Sequence, residues 1–140
     1  MENVEKNTSA STLKRIDQAT MKNIETYSKS PELIAKRIRE LETEWDIERV
    51  LELNASIFGL LGLILAVTLN PFWLIFSGLI LAFLSLHAFQ GWCPPLPLFR
   101  SKGKRTRAEI DEEMYALKVI RGDFRFFHGI HEVYDAVKKH

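Results

Sequence analysis

Between Leu53 and Phe99 the chain has no aspartate, glutamate, lysine or arginine. Charge is plentiful on either side: residues 1–52 carry nine basic against eleven acidic side chains, and residues 100–140 carry ten against seven. A charge-free stretch this long, in a chain that is 26% charged, excludes a half-wet surface for those residues. Only one cysteine, Cys93, is present, which excludes an internal disulfide framework. The apolar runs contain no acid, the usual mark of an ion or proton pathway, and this argues against a transporter. No phosphate loop, nucleophile–base set or paired catalytic carboxylates can be identified, so neither an enzyme nor a cofactor is expected. The basic residues are too few and too local for a nucleic-acid surface. The polar N-terminus has no early apolar core, which predicts no cleavable signal peptide and insertion directed by the later segments themselves.

What is present is a pair of apolar runs, Leu53–Leu69 and Phe72–Phe89, separated by Asn70-Pro71. As helices each would measure roughly 26 Å, within the lower range for a hydrocarbon core of about 30 Å. Proline disfavours helix in the residue before it, so Asn-Pro predicts a turn between two spans. The expected fold class is all-α, a two-span membrane hairpin flanked by cytoplasmic amphipathic helices. The competing reading is a buried hairpin in a soluble protein, but the remaining residues could hardly cover two helices apolar on every face. Lys36, Arg37, Arg39 and Arg49 precede the first span, and Arg100, Lys102, Lys104, Arg105 and Arg107 follow the second, while the loop is uncharged. The positive-inside rule then puts both termini in the cytoplasm, with Trp73 and Trp92 as interfacial aromatics. Arg100, Lys102, Lys104 and Arg105 are expected to anchor that interface, and the basic run to attract anionic lipid. Ala55, Gly59, Gly62 and Ala66 on the first span, with Gly78, Ala82 and Ser85 on the second, form small-residue stripes for helix packing, within the hairpin or against a second protomer.

The chain divides into a polar segment (1–30), an amphipathic helix leading to the membrane (31–52), the hairpin (53–92), a Pro/basic connector (93–105) and C-terminal helices (106–140). In the first segment Leu13, Ile16, Met21, Ile24 and Tyr27 mark a weak amphipathic helix. Ser30-Pro31-Glu32 is a helix start, and Ile34, Ile38, Leu41 and Trp45 repeat at helical spacing with nothing to stop the helix before Leu53. It is expected to run into the first span or to bend at the surface. Thr106-x-x-Glu109 is a capping box, followed by Ile110, Met114 and Leu117 on one face and a stop at Gly122. The tail holds Phe124, Phe126 and Phe127, then Ile130, Val133, Tyr134 and Val137 at helical spacing.

Few residues carry chemistry. Cys93, in Gly-Trp-Cys-Pro-Pro, is either a small apolar residue at a tight exit from the bilayer or a reactive thiol that accepts sulfane sulfur or joins two protomers. His128, His131 and Glu132 have i, i+3, i+4 spacing for a metal, though without a second cluster they read as solvent-facing. His87, near the end of the second span, has a hydrogen bond to a neighbouring helix as its expected role. Arg121-Gly122-Asp123 is a chance motif.

The segment GWCPPLPLFRSKGKRTRAEIDEEMYALKVIRGDF, with the upstream ELETEWDIERVLELNAS, resembles a bacterial group within the two-span YgaP-like transmembrane domain family, over about Ser30 to Phe124. The resemblance implies a membrane hairpin that dimerises or assembles further, in the bacterial inner membrane. Some members fuse the hairpin to a rhodanese domain, implying sulfur transfer near a membrane. This chain has no such domain, so the resemblance carries over no enzyme activity, and only Cys93 matches a position of chemical interest. The expected function is a non-enzymatic scaffold or accessory subunit that binds the bilayer and forms a homo-oligomer or joins a larger membrane complex. The alternative is a sulfur- or redox-handling protein using Cys93. A small channel is a third reading, weakened by the lack of pore-lining polar residues.

Overall fold

The structure is a computed structural model and describes residues 2–124 with Gly129, His131, Glu132 and Tyr134. All seven elements among them are helices: α1 (Glu2–Lys6), α2 (Ala10–Tyr27), α3 (Pro31–Thr43), α4 (Ile47–Thr68), α5 (Trp73–Gln90), α6 (Leu96–Ser101) and α7 (Arg107–Arg121). The aromatic tail beyond Phe124 lies almost entirely outside the described residues.

Asn70 accepts the Phe72 N–H on its side-chain oxygen, 2.9 Å away, and closes the turn that Pro71 requires. The helices on either side, α4 and α5, pack along their length as an antiparallel hairpin, and both are long and apolar enough to cross a membrane. At 1.5 Å per residue they measure about 33 and 27 Å. Ser77 is the one fully buried residue of α5, while Val67 and Phe89 are 89% and 83% exposed. An apolar surface this bare suits lipid, not water.

The helix before the first span is broken rather than continuous. Residues 44–46 leave α3, and Asp46 caps α4 by accepting the Arg49 N–H at 2.8 Å. A side-chain acceptor at an N-cap satisfies a donor that a continuing helix would have bonded to its own backbone, so Asp46 favours a fresh start. Trp45, expected on the apolar stripe of α3, falls in this break instead, 40% exposed with the Arg49 guanidinium 4.3 Å from its ring.

Helices α2, α3 and α7 pack together at the end of the hairpin where the chain enters and leaves it. Their core is Ile34, Ile38 and Leu41 from α3 against Ile110, Met114 and Leu117 from α7, with Ile24 and Tyr27 of α2 packed on the side. The starts follow the sequence: Ser30 accepts the Leu33 N–H, and Thr106 and Glu109 exchange both bonds of the capping box. Gly122 ends α7 in the left-handed region, and Arg121 turns back onto Asp123 at 2.7 Å. Arg121-Gly122-Asp123 is therefore a helix stop. The unforeseen elements are α1 and α6, which close the base of the hairpin: Val4, Ile47, Leu51, Cys93 and Leu96 form a second buried cluster.

Candidate functional site

The small-residue stripes divide into two groups. Gly59, Gly62 and Ala66 are buried against α5. A Cβ on Gly62 would collide with Ser77 Oγ and come within 2.9 Å of the Phe76 ring, so glycine there is what lets the backbones approach. Ser77 donates a buried hydrogen bond to the Gly59 carbonyl at 3.0 Å. The contact on α5 is thus Ser77, which the stripe missed. Gly78, Ala82 and Ser85 are exposed on other faces of α5. They do not serve the hairpin, and Ala55 is half-buried.

Two of the four expected interfacial cations are internal, which corrects that expectation. Arg100 is 1% exposed and forks onto Glu109 at 2.6 and 2.7 Å, while also donating to the Lys104 carbonyl at 2.8 Å and to Thr8 Oγ1 at 3.1 Å. Arg105 donates to both Glu44 oxygens, at 3.0 and 2.7 Å, and to Glu113. Arg37 reaches Glu113 from α3 at 2.7 Å. A buried guanidinium needs such partners because its five donors would otherwise lose water without replacement. Burial alone would push the Glu109 and Glu113 carboxyls up. Guanidinium hydrogen bonds and charge outweigh it, from Arg100 on one and from Arg37 and Arg105 on the other, and hold both below the usual carboxylate range. Lys102 is exposed and Lys104 half-buried, and Trp73 and Trp92 are exposed at opposite ends of α5.

Gly91 ends α5 at φ +65°, and a Cβ there would strike the α1 backbone, 2.8 Å from the Val4 nitrogen. This turn drives Cys93 inward, 3% exposed among Val4, Ile47, Leu51 and Leu96. Burial pushes its thiol up, against a smaller opposing hydrogen bond from the Leu96 backbone. A protonated, enclosed thiol is a packing group, since nucleophilicity requires the thiolate. His87 lines the same region with its Nδ1 buried and unbonded, not joined to a neighbouring helix as expected. Of the metal trio, His131 and Glu132 are exposed and His128 lies outside the described residues. Among the described residues no three His, Cys, Asp or Glu side chains group as metal ligands.

No protein-family model matches the chain, and no curated protein or solved structure matches it significantly. The site must be read from its own geometry. Cavities flank the base: a polar one of about 360 Å³ beside Arg15, Arg37 and Arg105, one of about 310 Å³ beside Val4, Glu48 and Gly91, and an apolar one of about 320 Å³ between α4, α5 and α6. Cys93 and His87 both line the apolar cavity, with the His87 Nδ1 left unbonded.

Proposed function

We propose that the chain is a non-enzymatic membrane scaffold or accessory subunit. Its hairpin crosses the bacterial inner membrane, and its helical base holds a partner, or a second copy, at the cytoplasmic face. The observation that carries this reading is a contrast. The hairpin leaves nearly all of its apolar surface bare, whereas the base is closed by ion pairs that join segments on both sides of it. A firm platform under a lipid-exposed hairpin suits assembly better than turnover.

Further points support it. The packing of α3 on α7 joins the segments before and after the hairpin, as a hairpin with both ends on one side of a bilayer requires. The positive-inside rule counts lysines and arginines during insertion, so the later pairing of Arg100 and Arg105 does not weaken a cytoplasmic assignment. Gly78, Ala82 and Ser85 present small residues away from α4, where a second hairpin can approach closely. The resemblance to the YgaP-like hairpins agrees with such a membrane role. The redox alternative gains no support from a thiol that is buried and pushed up.

The deciding experiment is the mass of the purified chain in nanodiscs, corrected for lipid. A discrete oligomer that Gly78→Leu reduces to monomers supports self-association through this face. A monomer at all concentrations moves the reading to a different partner, sought by cross-linking in native membranes.

A further inference from the structure

The apolar cavity at the base is walled by Ala55 and Phe58 of α4, Phe83 and Leu84 of α5, and Cys93 and Leu98 from the chain that follows. Its volume, about 320 Å³, is roughly twice the 150 Å³ of an apolar cavity that stays dry and takes up benzene. Water is a poor occupant, because it needs two to four polar partners and the wall offers few: the Asn54 amide already donates to the Val50 carbonyl at 2.7 Å, which leaves the unbonded Nδ1 of His87 as the main acceptor. The wall residues Phe58 and Leu98 are 44% and 55% exposed, so the cavity opens onto the surface that the hairpin presents to lipid. Its depth matches the headgroup end of a bilayer, since it begins at the first residues of the charge-free stretch. Beside the mouth, Lys102 follows Leu98 by one helical turn, its backbone N–H on the Leu98 carbonyl at 3.3 Å, and its side chain is exposed. Lys102 caps α6, one turn past the wall residue Leu98 and beyond the end of the charge-free stretch, where a cation can meet a lipid phosphate.

We propose that this cavity is a lipid site, holding the headgroup-proximal part of one acyl chain of an anionic phospholipid whose phosphate lies against Lys102. The inference rests on the membrane-spanning reading, but not on self-association. The acyl chain fills the hollow left beside the direct packing of Leu96 on Leu51, so the lipid acts as a structural member of the base.

The test is native mass spectrometry of the full chain, released from nanodiscs of phosphatidylglycerol and phosphatidylcholine in equal parts. The wild type should retain one phosphatidylglycerol per chain. Ala55→Phe and Ile80→Phe fill the cavity from opposite walls, and with helical circular dichroism unchanged each should lower retention at least about tenfold, equivalent to roughly 1.4 kcal/mol. Lys102→Gln should keep a bound lipid and lose the preference for phosphatidylglycerol. No retained lipid on the wild type, or full retention in a folded filling variant, overturns the site. So does a dimer that the filling variants abolish, which would assign the cavity to a second copy. A parallel flotation assay separates the two readings: a chain that partitions into vesicles yet retains no lipid defeats only this proposal, and one that fails to partition defeats both.

Discussion

Arg37 and Glu113 occupy the same place in two facing apolar stripes. On α3 the sequence runs Ile34, Arg37, Ile38, Leu41, and on α7 Ile110, Glu113, Met114, Leu117, each at i, i+3, i+4, i+7. The guanidinium and the fully buried carboxylate meet at 2.7 Å in the interface those stripes form. Because Arg105 enters the same carboxylate from the connector, Glu113 is shared by two cations.

Glu113→Ala should therefore be the most damaging single change in the base. It leaves two guanidiniums without their common partner, and breaking a buried pair from one side costs about 3–5 kcal/mol. Thermal unfolding in mild detergent, followed by circular dichroism, should show a larger loss than for Arg37→Ala. The exchanged pair Arg37→Glu with Glu113→Arg should not restore stability, since Arg105 would then face an arginine. Full rescue would show that Arg105 does not share the site.

Acid should loosen the base before it affects the hairpin. Glu109 and Glu113 lie below the usual carboxylate range in the folded chain, so the folded state binds fewer protons than the unfolded state near that range. Their contribution is complete above the ordinary glutamate value of about 4.3 and is lost as pH falls through the lower folded values. Melting temperature should therefore fall as pH is lowered below the ordinary glutamate value of about 4.3. Glu109→Gln should flatten part of that slope. A slope equal to the wild type's would remove Glu109 from the account.

Gly62→Leu should force the hairpin apart, because even a Cβ there meets Ser77 and Phe76. Ser77→Ala should be mild, about 0.6 kcal/mol, the average for a hydrogen bond between membrane helices. Cysteine cross-linking between α4 and α5 reports the separation directly. Unchanged cross-linking in Gly62→Leu would mean the helices do not cross at this point.

Cys93 should resist alkylation by a membrane-permeant maleimide in the folded chain and react promptly once the chain is denatured. Cys93→Ser should cost about 1 kcal/mol, the usual scale for a single substitution, and leave assembly intact. Rapid alkylation of the native chain, or a persulfide recovered on this residue, would restore the redox reading.

Legibility in the sequence was uneven for physical reasons. The hairpin was plain because a membrane span must exclude charge over its whole length, and that absence survives without any knowledge of packing. The helix starts at Ser30-Pro31 and Thr106-x-x-Glu109 were plain because caps are local. Arg100 and Arg105 look like any basic flank in a linear string, because pairing with Glu109, Glu44 and Glu113 is a tertiary matter. One signal was available: Arg37 and Glu113 interrupt two apolar stripes at matching positions, and opposite charges so placed predict contact. Small-residue spacing points to Gly78 and not to Ser77, because spacing alone does not say which row of α5 faces α4. The cap at Asp46 is equally local, since it stands directly before Ile47, but the helical spacing of Ile34, Ile38, Leu41 and Trp45 runs up to it and masks the break.

The fastening of α3 to α7 has a consequence for the order of events in biogenesis. Arg37 and Glu113 stand 76 residues apart, and Glu44 and Arg105 stand 61 apart, with the whole hairpin between them in each case. In a chain that threads the bilayer, neither pair can close until both spans have been delivered and the connector has returned to the starting side. A chain whose second span fails to insert would leave Arg37 and Glu113 on opposite sides of the membrane, with the apolar stripes of α3 and α7 uncovered. Closure of the base is thus a late event, one that requires both spans to be in place before the Ile34–Ile38 and Ile110–Met114 faces can cover each other.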